Sequence, residues 1–217
     1  MTRDWQQWHT YYDSPTSSLA QRLNVVRRDI HRALIEAPCD ADGVVRLTSI
    51  CAGEGRDVLP VLAERGNGRE VKALLLEIHP ALAARAGAQA EELALPGVEV
   101  READAGLIET YLGIPASHVL LVCGVFGNIS VDDVRRTIAT LPALLAPEGI
   151  VIWTRGVQDP AHDPSRDIRD HFAEHGFREL AFTGTEEGEF RVGMHQLAVE
   201  PADVRSMSPS SRMFTFL

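Results

Sequence analysis

The chain of 217 residues is 45% hydrophobic and 24% charged, which supplies enough apolar material for one core and excludes general disorder. Its length suits one large α/β domain better than two independent ones. With 21 Lys and Arg against 31 Asp and Glu, the formal net charge of -10 repels phosphate backbones and acidic membranes, so we expect no nucleic-acid and no membrane partner.

The first residues contain no apolar run of the kind found in a secretory signal, and the apolar stretches elsewhere are too short to cross a bilayer. We therefore expect a cytoplasmic protein. The three cysteines, Cys39, Cys51 and Cys123, are an odd number without a C-x-x-C pair. This pattern favours reduced thiols over a disulfide framework or a zinc site.

Residues 1–15 concentrate aromatic side chains, with Trp5, Trp8 and Tyr12 at helical spacing. Two interpretations stay open: the segment is a lid over a bound substrate, or it is an amphipathic helix docked on the core. Ser14-Pro15 predicts the N-cap and first turn of the long amphipathic helix that follows.

Short apolar segments then alternate with helical patterns along most of the chain. This alternation predicts an α/β fold, with a mostly parallel sheet and helices on both faces. A short acidic turn joins the last two strand candidates, which suits an antiparallel hairpin. We expect a seven-stranded sheet from the segments 44–51, 71–78, 98–103, 118–123, 150–154, 177–182 and 190–199.

Unusual residues follow the first four strand candidates, and parallel sheets bind their ligands at such strand ends. Gly53 and Gly55 let a ligand approach the backbone, as does Gly124 in a later loop. Glu77 can accept hydrogen bonds from both hydroxyls of a ribose, and Asp104 from an adenine amino group. Each residue alone also fits a turn, a surface ion pair or a helix cap. Together they favour an adenosine-containing ligand.

The order of these features carries a family resemblance. A glycine loop, an acidic residue ending strand two, Asp-Ala after strand three, a glycine loop after strand four and a terminal hairpin follow one another over residues 44–199. In this order the sequence resembles the class I S-adenosylmethionine-dependent methyltransferases. More narrowly, CAGEGRD (51–57), GVFGNI (124–129) and IWTR (152–155) resemble a group of bacterial methyltransferase-like proteins.

The resemblance implies a Rossmann-like methyltransferase fold and S-adenosyl-L-methionine as the cofactor. It divides the chain into an N-terminal helical cap (1–43), a cofactor-binding domain (44–199) and a C-terminal tail (200–217), all within one structural domain. The residues that it implies in cofactor binding are Cys51, Ala52, Gly53, Gly55, Glu77, Asp104, Ala105, Cys123 and Gly124.

Each part of the cofactor has an implied position in this resemblance. The first glycine loop passes under the methionine part, and Glu77 holds the ribose hydroxyls. Asp104 binds adenine together with the N–H of Ala105, while Cys123 and Gly124 border the sulfonium.

One position departs from the family pattern. The usual first motif is D-x-G-x-G-x-G, whereas Ser49 stands here at the acidic position and Cys51 at the first glycine. The amino group of the cofactor therefore needs a partner from elsewhere, either the 124–128 loop or the N-terminal segment.

The resemblance implies methyl transfer to an oxygen or nitrogen atom of a small-molecule substrate. The candidates for the base that removes a proton from the acceptor are His9, Tyr12, Asp13, His79 and His162. Arg155 is a candidate for pairing with a substrate carboxylate or phosphate, or else for a surface ion pair.

Two other functions remain open. An NAD-dependent oxidoreductase would carry a third glycine where Val58 stands. A cofactor-binding protein could also regulate a partner without turnover. No metal is expected, because His171 and His175 lack a third ligand at recognisable spacing.

Overall fold

The computed structural model describes residues 17–65, 68–157, 159–184 and 188–217. Within these ranges, five α-helices and seven β-strands form the framework. The helices are α1 (Ser18–Glu36), α2 (Val58–Glu64), α3 (Pro80–Glu92), α4 (Val131–Thr140) and α5 (Ser165–Glu174). The strands are β1 (Val45–Ile50), β2 (Val71–Glu77), β3 (Val98–Glu102), β4 (Ser117–Val122), β5 (Leu145–Gly156), β6 (Phe177–Thr183) and β7 (Phe190–Leu197).

All seven strands join one sheet in the order β3-β2-β1-β4-β5-β7-β6. The pairs among β1 to β5 are parallel, and β7 runs antiparallel to both β5 and β6. The predicted sheet with its C-terminal hairpin is therefore confirmed. Strand order reverses between β1 and β4, which is where open α/β sheets form a ligand crevice.

Helices cover both faces of this sheet and explain why its central strands are continuously apolar. In β4, Leu120 and its neighbour Leu121 are both fully buried, but they pack into cores on opposite faces. Helices α1, α2 and α3 close one face, and α4 and α5 close the other. A strand buried on both faces has no polar alternation, as the sequence indicates.

Helix α1 begins later than the sequence predicts. Its N-cap is Ser17, whose side-chain oxygen accepts a hydrogen bond from the Ala20 N–H at 3.1 Å. The predicted cap, Ser14-Pro15, lies outside the described residues, as does the aromatic segment before it. None of the helices in the described ranges has both the length and the apolar character that a bilayer crossing requires.

The C-terminal strap, residues 212–217, is an ordered part of the fold. Met213 and Phe214 are buried, at 1% and 2% exposure, so the apolar residues at this end dock on the core. Antiparallel bridges connect Leu107 with Arg212 and Ile129 with Phe216. The strap thus crosses from the segment after β3 to the loop after β4.

One packing contact in the hairpin allows a direct stability test. Gly193 in β7 lies opposite Trp153 in β5, and a Cβ at this position would overlap the indole ring. We expect Gly193→Ala to lower the free energy of unfolding by about 1–3 kcal/mol through overpacking. The matched control is Gly87→Ala in α3, where a Cβ meets nothing within 4 Å and the helix gains about 0.5–1 kcal/mol. Equal unfolding midpoints in denaturant for the two variants would refute this packing argument.

A buried histidine predicts how stability depends on pH. Burial lowers the pKa of His195 to about 4 from an ordinary 6.5. Between these values the unfolded chain binds more protons than the folded one, so stability falls as pH is lowered from 6.5 toward 4.

From pH 7 to pH 4.5, His195 is expected to cost the wild-type chain about 2–3 kcal/mol of unfolding free energy. His195→Gln removes this titration and keeps a side-chain oxygen for the Trp153 Nε1–H, which now donates to His195 Nδ1 at 3.2 Å. Denaturant unfolding at the two pH values measures the difference. An equal loss in the two proteins would show that His195 does not titrate in this window.

Candidate functional site

A cavity of about 500 Å³ opens at the carboxyl ends of β1, β2 and β4. Its size falls within the range of small-molecule and cofactor sites. Helix α1 and the C-terminal strap supply two further walls. The predicted cofactor-binding residues that line it are Cys51, Ala52, Gly53, Glu77, Asp104, Ala105, Cys123 and Gly124.

The loop after β1 is shaped by two residues with positive φ. Gly53 has φ 58°, and Cys51 has φ 54°, a conformation uncommon for any residue with a Cβ. Cys51 occupies the position of the first glycine in the motif that the sequence resembles. Its backbone has the positive φ typical of glycine although the residue carries a side chain. Such a conformation costs about 1–2 kcal/mol, and the surrounding structure holds it.

Glu77 ends β2 and fixes the loops on either side of it. Its carboxylate is 6% exposed. One oxygen, Oε2, accepts a hydrogen bond from the Gly53 N–H at 2.7 Å, and Oε1 accepts one from the His79 N–H at 2.8 Å. Each carboxylate oxygen can accept a second hydrogen bond, so Glu77 keeps acceptor capacity toward the cavity.

Gly55 is the one predicted cofactor-binding residue that does not line the cavity. Its φ is 70°, and a Cβ there would lie 2.9 Å from atoms of Leu59 and Leu75. Close packing of α2 against β2 therefore explains this glycine. A direct ligand contact at Gly55 has no support from the cavity geometry.

Asp104 lies at the same cavity as Glu77, beyond the end of β3. Its Oδ1 accepts a hydrogen bond from the Gly106 N–H at 2.8 Å, and its Oδ2 pairs with Arg212 of the strap at 2.9 Å. Gly106 also lets the strap approach, because a Cβ there would lie 2.5 Å from the carbonyl oxygen of Phe214. The strap and Asp104 thus hold one another in place.

The loop after β4 borders the middle of the cavity. Gly124 has φ 76°, and its N–H donates to Thr154 Oγ1 at 2.8 Å. A Cβ on Gly124 would meet nothing within 4 Å, so the glycine is required by its backbone conformation and leaves open space beside it. Thr154 lines the cavity and is a contact that the sequence did not indicate.

The two cysteines in the lining are poor nucleophiles. Burial raises the pKa of the Cys51 thiol, and Glu77 and Asp104 act in the same direction. Burial also raises the pKa of Cys123 well above its ordinary value. Both thiols therefore favour the protonated form at neutral pH, which disfavours thiolate chemistry here.

The three predicted catalytic residues have different outcomes. His9 and Tyr12 lie outside the described residues. Arg155 does not line the cavity; its Nη1 donates to the carbonyl oxygen of Phe126, behind the loop after β4. Burial lowers the pKa of Arg155, with Asp163 acting in the opposite direction. A substrate contact for Arg155 stays a prediction, and its observed contact supports the loop.

His79 does line the cavity and carries an unused polar atom. Within the described part of the chain, its Nδ1 is buried and has no hydrogen-bond partner. Ile78 next to it is 59% exposed, one of few large apolar side chains left open, and it faces the same cavity. A buried polar atom beside an exposed apolar one is what a bound ligand would cover.

Four residues from three other parts of the chain also line the cavity, and they were not identified from the sequence. Arg22 of α1 and Asp57 at the start of α2 line it, as do Phe214 and Phe216 of the strap. The sequence did contain an indication for Arg22, because it falls on the apolar face of α1. In the structure this face is buried, and Arg22 is 9% exposed. For the strap, the sequence showed only apolar residues, which predict that the strap is buried but not where it packs.

Away from the cavity, the structure places a third side chain that could bind a metal ion beside His171 and His175. The spacing in the sequence did not suggest this third ligand. His171, Glu174 and His175 bring their ligand atoms within 4.8 Å of one another near the end of α5. However, the Arg135 guanidinium donates to His171 Nε2 at 2.7 Å, and Glu174 bonds Nδ1 of the same ring at 2.7 Å. Both ring nitrogens of His171 are thus engaged by protein groups.

No protein-family model matches the sequence, and no curated protein matches it. Solved structures, in contrast, share its fold. An O-methyltransferase family protein from Burkholderia thailandensis aligns with TM-score 0.68 and 14% identity, over 90% of this chain and 61% of the other. Magnesium protoporphyrin IX methyltransferase from Synechocystis PCC 6803, with bound S-adenosylmethionine, aligns with TM-score 0.63 and 14% identity, over 90% and 91%. The chain has the class I S-adenosylmethionine-dependent methyltransferase fold.

A third methyltransferase structure shows how widely this fold is used. Precorrin-6y C5,15-methyltransferase from Geobacter metallireducens GS-15 aligns with TM-score 0.55 and 15% identity, over 78% of this chain and 87% of the other. The names of these three proteins cover different acceptors. The chain also spans only 61% of the Burkholderia protein's length. The shared fold therefore does not select an acceptor.

Proposed function

We propose that the protein is an enzyme that transfers a methyl group from S-adenosyl-L-methionine to an oxygen or nitrogen atom of a small molecule. One observation carries the proposal: two carboxylates, Glu77 at the end of β2 and Asp104 just beyond the neighbouring β3, line one cavity beside open glycine backbone. This is the arrangement that an adenosine-containing ligand needs at the edge of a parallel sheet.

The residues present fit this cofactor in polarity and space. Glu77 keeps free lone pairs for two ribose hydroxyls, and the orphaned Nδ1 of His79 offers a further polar contact beside it. Asp104 is assigned to the adenine amino group, and exposed Ile78 to the face of the base. Gly124, where a Cβ would find open space, leaves room at the sulfonium.

When bound, the cofactor supplies a methyl group on a positively charged sulfur. Transfer from such a centre is an in-line displacement, so the protein's work is to align the acceptor and exclude water. Here Val26 and Leu82 and the aromatic side chains of the strap make much of the lining apolar. The protonated thiols of Cys51 and Cys123 add small, uncharged side chains.

An acceptor hydroxyl or protonated amine must lose a proton, and His79 is the one candidate base from the sequence that lines the cavity within the described residues. His9 and Tyr12 stay candidates, and both lie outside the described residues. A substrate contact for Arg155 stays a prediction beside its observed contact, which supports the loop after β4.

The proposal also covers the partner, the location and the division of the chain. The partner is a small-molecule substrate, and the net charge of -10 disfavours nucleic acid and acidic membranes. A cytoplasmic location and the division into cap (1–43), cofactor-binding domain (44–199) and tail (200–217) remain part of the proposal.

Calorimetric titration with S-adenosylmethionine and with NAD tests the proposal. We expect binding of the sulfonium cofactor with one site per chain, and no heat from NAD. Tight NAD binding without a response to S-adenosylmethionine would replace the methyltransferase by an oxidoreductase. Firm S-adenosylmethionine binding with no methylated product across a broad acceptor screen would support a regulatory, non-catalytic role.

A further inference from the structure

The amino-acid end of the cofactor has no obvious holder in the first motif. Ser49 stands where the resemblance places a carboxylate, and it is buried in β1, outside the residues that line the cavity. An α-ammonium and an α-carboxylate in an apolar cavity each need an opposite charge, since a buried unpaired charge is costly.

The residues that line the cavity include a cation and an anion besides Glu77 and Asp104, namely Arg22 and Asp57. Arg22 reaches the cavity from α1, together with Leu23 and Val26 of the same helix. Asp57 reaches it from the N-terminus of α2, where its Oδ1 accepts the Val58 N–H at 2.9 Å. Helix α1 precedes the sheet in sequence, so no strand-end motif includes Arg22.

The order of the strands separates these groups from the other carboxylates. Glu77 ends β2 and Asp104 follows β3, and both strands lie on one side of β1 in the sheet. Helix α1, which carries Arg22, packs against β5 and β7 on the other side of β1. The cavity therefore has a carboxylate end beside β2 and β3 and a mixed-charge end beside α1.

We propose that Arg22 and Asp57 form the subsite for the zwitterionic amino-acid end of the cofactor, with Arg22 holding the α-carboxylate and Asp57 the α-ammonium. This inference rests on the proposed function and adds a residue from α1 to the binding site. Arginine suits the role because its planar guanidinium can donate two parallel hydrogen bonds to a carboxylate.

The carboxylate of Asp57 is not fully compensated for its burial. Burial raises the pKa of Asp57, while its backbone hydrogen bonds and then Arg27 and Arg22 act in the opposite direction without cancelling it. A bound ammonium would lower this pKa and favour the charged carboxylate. Asp57 can lose this charge without losing the helix cap, because asparagine caps helices as well as aspartate does.

Two ligands separate this subsite from the rest of the cavity. S-adenosylhomocysteine carries the amino-acid end, and 5′-methylthioadenosine has the same nucleoside and thioether without it. We expect Arg22→Met to weaken S-adenosylhomocysteine binding about tenfold to a hundredfold, the size of a lost charge-assisted hydrogen bond, and to change methylthioadenosine binding less than twofold. Methionine keeps an apolar stem at this buried position.

Asp57→Asn is the second variant, with about a tenfold loss expected for S-adenosylhomocysteine alone. The control is Arg32→Ala, which removes an exposed cation of α1 paired with Glu36 and should leave both affinities unchanged. Calorimetry measures all the affinities. Equal losses for the two ligands, or no loss for S-adenosylhomocysteine in either variant, would overturn the subsite. A wild-type chain that binds neither ligand would instead refute the proposed function.

Discussion

Glu77→Gln is expected to weaken S-adenosylmethionine binding about a hundredfold. Each hydrogen bond between a ribose hydroxyl and a charged carboxylate contributes about 1.5–3 kcal/mol, and the neutral amide has only one oxygen to accept them. Because that single oxygen must also serve the Gly53 and His79 N–H groups, one backbone donor loses its partner. We therefore expect a loss of about 1–3 kcal/mol in unfolding free energy as well.

The control for this variant lies on the neighbouring strand. Glu102 is paired in register with Glu77, but it is exposed and does not line the cavity. Glu102→Gln should change neither affinity nor stability appreciably. Calorimetry for binding and thermal unfolding for stability give the comparison. Unchanged affinity in Glu77→Gln would show that the ribose contact is assigned to the wrong residue.

Phe214→Ala is expected to destabilise the protein by about 3–5 kcal/mol, because this 2% exposed side chain sits in the core beneath the cavity. For a chain of this size, the melting temperature should fall by about 6–20 °C. The variant also removes part of the cavity wall, so cofactor affinity should drop together with stability.

Phe216 provides the matched comparison within the strap. Its ring packs edge-on against Phe214 at 5.8 Å between centroids, and it also lines the cavity, but it is only partly buried. Phe216→Ala should therefore cost clearly less stability than Phe214→Ala while still affecting binding. Differential scanning calorimetry with and without cofactor measures both effects. A melting temperature unchanged by Phe214→Ala would mean that the strap does not stabilise the fold.

The arrangement of helices and strands was predictable from the sequence because each segment's hydrophobic pattern fits its place in the fold. Apolar strands followed by helices allow few arrangements other than a parallel sheet covered on both faces. Once the strands are parallel, their carboxyl ends meet at one edge, and Glu77 and Asp104 lie at one cavity as a consequence. The acidic turn before β7 likewise required a hairpin.

Other features depend on contacts between distant parts of the chain. Arg22 and the C-terminal strap reach the cavity only through packing of α1 and of residues 212–217, and no local pattern encodes such contacts. Gly55 is a different case. The sequence suggested ligand approach at this glycine, and the structure adds a second reason for it, since a Cβ there would lie 2.9 Å from atoms of Leu59 and Leu75.

One nucleoside is expected to lie across the strand ends, and a crystal structure of the chain with S-adenosylhomocysteine would show its position. We predict electron density for the ribose at Glu77, for adenine at Asp104 and for the sulfur beside Cys123 and Gly124. A nucleoside bound away from this cavity, or with its sugar out of reach of the Glu77 carboxylate, would disprove this placement.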